Sequence, residues 1–153
     1  MNIEFVKAKL SDIAVMQALV APEIESGIIL QRSDDEVATN IRSYTLALHE
    51  GEIIGFCALH IHAASLAEIR SLIIKENFRG KKIGENLVNK CLEEARTLGI
   101  GRVLSLTYRK SFFERLGFVE IPKESLPEHK IWADCIKCKH FPVCNEVSLI
   151  KTL

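Results

Sequence analysis

An apolar strand, a basic turn and an amphipathic helix follow one another between residues 66 and 98, and this succession constrains the fold most strongly. In the predicted helix Ile83–Leu98, apolar residues recur at three- and four-residue spacing, and Gly99 suits its end. A helix N-terminus has unpaired amides and a partial positive charge, so the turn before Ile83 predicts a phosphate site. Because the motif is short, an ordinary strand-turn-helix with a solvated basic turn remains an alternative.

The rest of the chain alternates strands and helices. Strands are predicted at Ile3–Ala8, Tyr44–His49, Glu52–His62, Leu66–Lys75, Arg102–Thr107, Phe118–Ile121 and Glu146–Leu153. Further helices are predicted at Asp12–Val20, with Ser11 as N-cap and a break at Pro22, from the Ser33 capping box to about Ile41, and at Ser111–Leu116. This order predicts an α/β fold with a mixed sheet and helices on its faces. With no linker visible, residues 1–153 are expected to form one domain.

Composition narrows the function classes. The 153 residues carry 20 basic and 20 acidic side chains, so no net field attracts nucleic acid or an anionic membrane, and any anion site must be local. No apolar run approaches the ~18 residues of a membrane span, and the N-terminus lacks a signal-peptide pattern. We therefore expect a cytoplasmic protein. In a reducing compartment, its five cysteines are expected to be thiols or metal ligands rather than disulfides.

Two motifs carry a resemblance to a known family. Arg79 and Gly84 fit the pattern Arg/Gln-x-x-Gly-x-Gly/Ala, with Lys82 at the middle glycine, and residues 112–118 resemble an aromatic-Glu-x-Leu-Gly-Phe segment. Together they resemble the GNAT N-acetyltransferases. The resemblance implies a mixed, mostly antiparallel central sheet flanked by helices, with acetyl-CoA as cosubstrate. Lys82 is expected to avoid the left-handed conformation that glycine permits there.

Three further segments, residues 67–72, 98–108 and 125–132, resemble the acetyltransferase domain of N-acetylglutamate synthases, in particular the short bacterial form without an amino-acid-kinase-like domain. This resemblance implies transfer of an acetyl group from acetyl-CoA to the α-amino group of L-glutamate, the first step of arginine biosynthesis. Two alternatives stay open. One is an acetyltransferase for another amino acid, a polyamine or a protein amine, and the other is a non-catalytic acyl-CoA-binding module. A polyamine would need an acidic pocket, for which the chain offers Glu23, Glu25, Asp34 and Asp35.

The resemblance also implies which residues contact the cosubstrate. Ile73 and Lys75 are expected to hydrogen-bond the pantetheine through their backbones. The full set expected to bind acetyl-CoA is Leu72, Ile73, Ile74, Lys75, Arg79, Gly80, Lys81, Lys82, Ile83, Gly84, Phe112 and Phe113.

Acetyl transfer requires a base, because an α-amino group has a pKa of about 8 and is mostly protonated at neutral pH. Glu68 matches the strand glutamate of the family and is the leading candidate; the alternative is a structural carboxylate paired with Arg70 or Lys75. The acid is less defined. Phe113 stands where many members have a tyrosine and cannot donate a proton. The resemblance to N-acetylglutamate synthases points to Thr107, which matches a hydroxyl residue there and could hydrogen-bond the departing sulfur, with Tyr108 as the other candidate.

A glutamate substrate needs at least two well-placed cations, preferably arginines. The resemblance points to Arg32, in the segment Leu30-Gln-Arg-Ser33, and to Lys130, and Arg70 could reach the same pocket from its strand. The alternative for each is a solvated surface charge.

The cysteines fall into two groups. Cys135, Cys138 and Cys144 have spacing suited to a structural zinc site within a C-terminal segment at about 129–146, with free thiols or a disulfide as alternatives. Cys57 and Cys91 lie in apolar patterns and are expected in the core. A homodimer is also plausible, since sheet edges are often closed by a partner strand.

Overall fold

The computed structural model describes residues 2–125 and 146–153. Within them, four helices flank a seven-stranded sheet of order β1-β2-β3-β4-β5-β7-β6. The strands are β1 (Ile3–Lys7), β2 (Tyr44–His49), β3 (Glu52–Ala63), β4 (Leu66–Ile74), β5 (Arg102–Thr107), β6 (Val119–Ile121) and β7 (Val147–Thr152). The helices are α1 (Ile13–Glu25), α2 (Asp34–Thr39), α3 (Ile83–Leu98) and α4 (Lys110–Arg115). The predicted α/β architecture is confirmed.

One strand pair differs from the others in direction. The β4–β5 pair is parallel and the other pairs are antiparallel, which confirms a mixed, mostly antiparallel sheet. The parallel pairing runs only from Leu66 opposite Arg102 to Ile69 opposite Ser105, although β4 continues to Ile74. Beyond Ile69 the two strands are no longer paired, so a gap opens in the sheet between them.

A bulge in β4 lies just beyond that point. Arg70 is opposite Ala58 and Ile73 is opposite Phe56, so β4 has one residue more than β3 between these pairs. Ser71 takes up the difference with a left-handed φ of 55°. Bulges of this kind bend a strand and re-aim its side chains.

The sheet buries a different apolar cluster on each face. On one face α3 packs Leu87 and Cys91 against Ala67 and Ile69 of β4. On the other, α1 and α2 cover Tyr44, Phe56 and Ile73, together with residues of the helices themselves. Because side chains alternate along a strand, Glu68 and Arg70 fall on the face covered by α1 and α2, which we call the acceptor face.

The core cysteines are placed as predicted. Cys57 and Cys91 are fully buried free thiols. The adjacent Cys91 thiol, together with burial, raises the pKa of Cys57 well above its ordinary value.

Most element boundaries follow the sequence, and the predicted bounds of α3 are confirmed with Gly99 left-handed at φ 84°. The capping box of α2 is present, with the Glu36 amide donating to Ser33 Oγ at 3.1 Å. The prediction for α1 is wrong at both ends. Its N-cap is Asp12 rather than Ser11, and the helix continues through Pro22 to Glu25.

The continuation of α1 has a packing cause. Proline removes only one helical hydrogen bond, and Val20 and Ile24 on either side of Pro22 pack into the acceptor-face cluster. In residues 2–125 and 146–153, no helix is long and apolar enough to cross a membrane.

Candidate active site at the splayed strands

The turn before α3 adopts a conformation that the sequence did not predict. Lys82 is left-handed, with φ 63° and ψ 15°, so the expectation that it avoids this conformation is wrong. Its carbonyl accepts the Asn86 amide at 3.1 Å and so begins the hydrogen-bond ladder of α3. This bond helps to offset the cost of the conformation for an L-residue, about 1–2 kcal/mol. The amides before Asn86 precede the ladder and have no acceptor within the helix.

Arg79 connects this turn to the end of β4 and to α1. Its Nε donates to the Ile74 carbonyl at 2.9 Å, and its guanidinium lies 3.3 Å from Glu23 Oε1 on α1. Lys81 and Lys82 are both exposed beside the helix start. Unpaired amides and exposed ammonium groups together can bind a phosphate group.

At the end of β4, the backbone groups of Lys75 already form hydrogen bonds within the protein, whereas the resemblance implied that they bind the pantetheine. The Lys75 amide donates to the Ile54 carbonyl at 2.7 Å, and the Lys75 carbonyl accepts the Phe78 amide at 2.8 Å. The backbone N–H and C=O groups of successive strand residues point to opposite edges of the strand. The backbone groups of Ile73, like the Lys75 amide, therefore point toward β3, and those of Leu72 and Ile74 point toward the gap. The geometry therefore favours Leu72 and Ile74, rather than Ile73 and Lys75, for backbone contacts to a molecule in the gap.

Two phenylalanines of α4 lie next to α3. The Phe112 ring contacts Gly84, since a Cβ built there would lie 3.6 Å from the ring. Arg109 stacks over Phe112 at 4.8 Å from the ring centre. Phe113 is buried and packs edge-to-face on Phe118 at 5.2 Å. Phe113 is thus a core residue, whereas Phe112 lies beside the turn before α3.

The predicted base belongs to a buried polar cluster. Oε1 of Glu68 lies 2.7 Å from His62 Nε2 and accepts a hydrogen bond from Arg70 Nε at 3.2 Å. The exposed fractions of the three side chains are 3% for Glu68, 2% for His62 and 10% for Arg70. Of the two structural partners considered for Glu68, Arg70 is present, whereas Lys75 pairs with Glu52 at 2.6 Å.

His62 belongs to this cluster, although it was not among the predicted site residues. His60 and His62 alternate along β3 and so share one face, and the register sets His60 opposite Glu68. The alternation was visible in the sequence, but the register that brings it to Glu68 was not.

A shallow pocket, open to solvent, lies on the acceptor face between α1, α2 and the bulge. Its lining is mostly apolar: Met16, Gln17, Val20, Ile24, Ile29, Leu30, Arg32, Val37, Tyr44, Phe56 and Ser71. Among the described residues, Arg32 is the one charged side chain of this lining. It forms an ion pair with Glu36 at 3.8 Å, and its carbonyl accepts Gln17 Nε2 at 2.9 Å.

Tyr44 connects this pocket to the Glu68 cluster. Burial raises the pKa of the Tyr44 hydroxyl, and the positive charges of Arg32 and Arg70 oppose part of that rise. The two arginines predicted to bind substrate therefore both lie close to Tyr44. The acidic residues considered for a polyamine pocket are absent from the described lining.

The candidate acids lie at the end of β5. Thr107 Oγ1 accepts the Arg109 amide at 2.9 Å, and Tyr108 is 41% exposed. Since Leu104 is level with Glu68, Thr107 is about 10 Å further along the sheet.

Four predicted site residues, Lys130, Cys135, Cys138 and Cys144, lie outside the described residues, and their roles stay predictions. In the part of the chain that is described, no group of three or more His, Cys, Asp or Glu side chains could hold a metal ion.

Known proteins share this architecture. An N-acetyltransferase of Chlorobaculum tepidum, named as uncharacterized, is 38% identical over 95% of this chain and 94% of its own length. The amino-acid acetyltransferase of Aeromonas salmonicida is 34% identical over 78% of this chain, which spans only 28% of that relative. The N-acetylglutamate synthase of Neisseria gonorrhoeae, solved with coenzyme A and N-acetyl-glutamate, superposes with a TM-score of 0.89 at 26% identity. That match covers all of this chain and 35% of the synthase.

A family model agrees with these likenesses. Residues 12–118 match the model of the Acetyltransferase (GNAT) family, a range that includes the gap between β4 and β5, the turn and α3. The chain therefore belongs to the acetyltransferase (GNAT) family and is an acetyl-CoA-dependent N-acetyltransferase.

Proposed function

We propose that this protein transfers the acetyl group of acetyl-CoA to the α-amino group of L-glutamate, the first step of arginine biosynthesis. The names of the Aeromonas relative and the Neisseria synthase support an amino-acid substrate. The observation that carries the proposal is the acceptor-face pocket, where Arg32 lines the wall, while Arg70 pairs with Glu68 on the same face. Two arginines suit a substrate with two carboxylates, and Lys130 is proposed as a further cation.

The charges around the pocket argue against a polyamine substrate. Glu23 pairs with Arg79, and Asp34 accepts Gln17 Nε2 at 3.0 Å. Neither side chain belongs to the described lining, where Arg32 would repel a cationic substrate. An anionic amino acid is therefore the better fit.

Glu68 is the proposed base. It shares the acceptor face with the pocket and lies on the last paired stretch of β4 before the gap opens. The carboxylate removes a proton from the substrate ammonium, directly or through a water. The neutral nitrogen then attacks the thioester carbonyl carbon. A C–N bond forms, the C–S bond breaks, and the sulfur leaves with a proton from Thr107 or Tyr108. The attacking nitrogen releases its second proton to solvent, which restores the proton of that hydroxyl.

The cosubstrate is proposed to lie across the other half of the site. The pyrophosphate binds the amides at the start of α3, with Gly80, Lys81, Lys82, Ile83 and Gly84 around it. The pantetheine runs along the gap, where Leu72 and the Ile74 amide offer backbone groups and Phe112 forms a wall, while the Ile74 carbonyl accepts Arg79 Nε. This arrangement brings the thioester to the acceptor face and holds it in line with the amine.

The proposal is tested by following CoA release with a thiol reagent for L-glutamate, L-aspartate, L-glutamine, L-leucine and spermidine. Glutamate should give the highest kcat/KM. In Arg32→Ala its KM should rise about 10- to 100-fold, since a lost hydrogen bond to a charged group costs about 1.5–3 kcal/mol. Arg42→Ala, at an exposed arginine beside β2, is the matched control and should leave KM unchanged. Preference for spermidine, or an unchanged KM in Arg32→Ala, would refute the glutamate pocket.

A further inference from the structure

The polar cluster on the acceptor face has a feature that base catalysis alone does not explain. His62 Nε2 and Arg70 Nε both contact one oxygen of Glu68, Oε1, at 2.7 and 3.2 Å. His62 is the more buried of the two partners and comes from a different strand, β3. A buried ionised carboxylate requires such partners, because desolvation disfavours its charge.

The chemistry of the His62 contact depends on the charge of Glu68. An ionised carboxylate only accepts hydrogen bonds, so His62 must carry its proton on Nε2 when Glu68 is ionised. Each carboxylate oxygen offers about two acceptor positions, and His62 and Arg70 together occupy those of Oε1. These two contacts come from different strands and restrict the rotation of the carboxylate.

We propose that His62 is a positioning residue for acetyl transfer: its Nε2–H, 2.7 Å from Oε1, keeps Glu68 ionised and holds the carboxylate in one orientation. This inference rests on the proposed role of Glu68 as the base. His62 itself touches neither substrate nor cosubstrate in this account, and it acts through Glu68.

The pH profile of kcat is interpreted from the titratable and charged groups that the described residues place around Glu68. On β3 they are His60, opposite in the register, and His62, whose ring lies 4.8 Å from that of His60. Among the described residues of β4 the group is Arg70, and level with Glu68 on β5 is the apolar Leu104. Replacing His62 therefore removes one donor from Glu68 and leaves the permanent charge of Arg70 in place.

The test compares His62→Leu, which removes the donor, with His62→Gln, whose side-chain amide can replace it. The pH profile of kcat is measured at saturating acetyl-CoA and glutamate, with His49→Gln on β2 as the control for loss of a histidine. We expect His62→Leu to lower kcat about 10-fold without changing KM for acetyl-CoA. Its acid limb should move up by about 1 pH unit, because one lost donor destabilises the ionised carboxylate. His62→Gln and His49→Gln should keep the limb of the parent protein.

A purely structural role for His62 predicts otherwise. Stability would fall in both His62 variants while the acid limb stays in place, and that result would overturn the inference. If His62→Leu does not fold, His62→Phe keeps the ring volume and takes its place. The imidazole NMR signals of His62 give a readout without substrate, and they should shift in Glu68→Gln.

Glu68→Gln separates this inference from the proposal beneath it. Full activity in Glu68→Gln would refute the proposed base, and with it the role of His62. An inactive Glu68→Gln, combined with an unmoved acid limb in His62→Leu, would refute the role of His62 alone.

Discussion

The two halves of the site are built in different ways. The half at the turn and α3 depends on backbone: left-handed Gly80 and Lys82, the first amides of the helix, and the strand end at Ile74. The half on the acceptor face depends on side chains from three separate segments, including Arg32, His62 and Glu68. Backbone sites tolerate exchange of most side chains, whereas side-chain sites do not. Mutations should therefore separate acetyl-CoA binding from catalysis.

The largest effect is expected from Glu68→Gln. Loss of a general base typically lowers kcat by 10²- to 10⁴-fold, while acetyl-CoA affinity should stay within about twofold, because the turn is unaffected. Steady-state kinetics and calorimetric titration of CoA measure the two quantities. A parallel loss of CoA affinity would show that the halves are not independent.

The next effect concerns the core that holds α3 on the sheet. Leu87 is fully buried in that cluster, so Leu87→Ala should lower the free energy of unfolding by about 2–5 kcal/mol. The exposed Asn89→Ala on the same helix should change it by less than about 0.5 kcal/mol. Urea unfolding gives both values. A loss below 1 kcal/mol in Leu87→Ala would contradict the packing described for α3.

A smaller effect should appear at alkaline pH. The Cys91 thiol and burial raise the pKa of Cys57, so the folded state keeps this thiol protonated above its ordinary value of 9.0, while the unfolded state ionises. The stabilisation is complete below pH 9 and decreases above it, by up to about 1.4 kcal/mol per pH unit. Urea unfolding between pH 8 and 10.5 should show this slope, and Cys57→Ala should reduce it. Identical slopes in the two proteins would contradict the assignment to Cys57.

The smallest effect is expected at Lys82. Glycine avoids the left-handed cost of about 1–2 kcal/mol but loses about 0.5–1 kcal/mol of backbone entropy, so Lys82→Gly should stabilise the fold slightly. Lys82→Ala removes the same charge without relieving the conformation and is the matched control. Thermal unfolding should rank Lys82→Gly above Lys82→Ala, and the reverse order would mean that the residue is unstrained.

The difference between local features and features that depend on long-range contacts also explains what the sequence could predict. Local signals were sufficient where a pattern and its structure lie in one segment, as in α3 with Gly99 and in the capping box of α2. They failed where tertiary packing overrides a local rule. Pro22 stays within α1 because Val20 and Ile24 on either side of it pack into the acceptor-face cluster, and Lys82 accepts a glycine conformation because its carbonyl begins a helix.

On the acceptor face, residue types were predicted and the Glu68–Arg70 pair was considered, but the contact to His62 was not predicted. Glu68, Arg32 and Arg70 could be proposed from a resemblance, yet the His62 contact depends on the β3–β4 register. The backbone direction at Lys75 likewise depends on its bond to Ile54 in β3. Register between strands is a long-range property that neither spacing nor composition specifies.

The most direct test of the central claim identifies the product. The protein is incubated with acetyl-CoA and an equimolar mixture of the twenty amino acids, putrescine and spermidine, and the acetylated species are identified by mass spectrometry. The account predicts N-acetylglutamate as the main product, in an amount that decreases sharply in Arg32→Ala. Acetylation of a polyamine or of an apolar amino acid in preference to glutamate would contradict it.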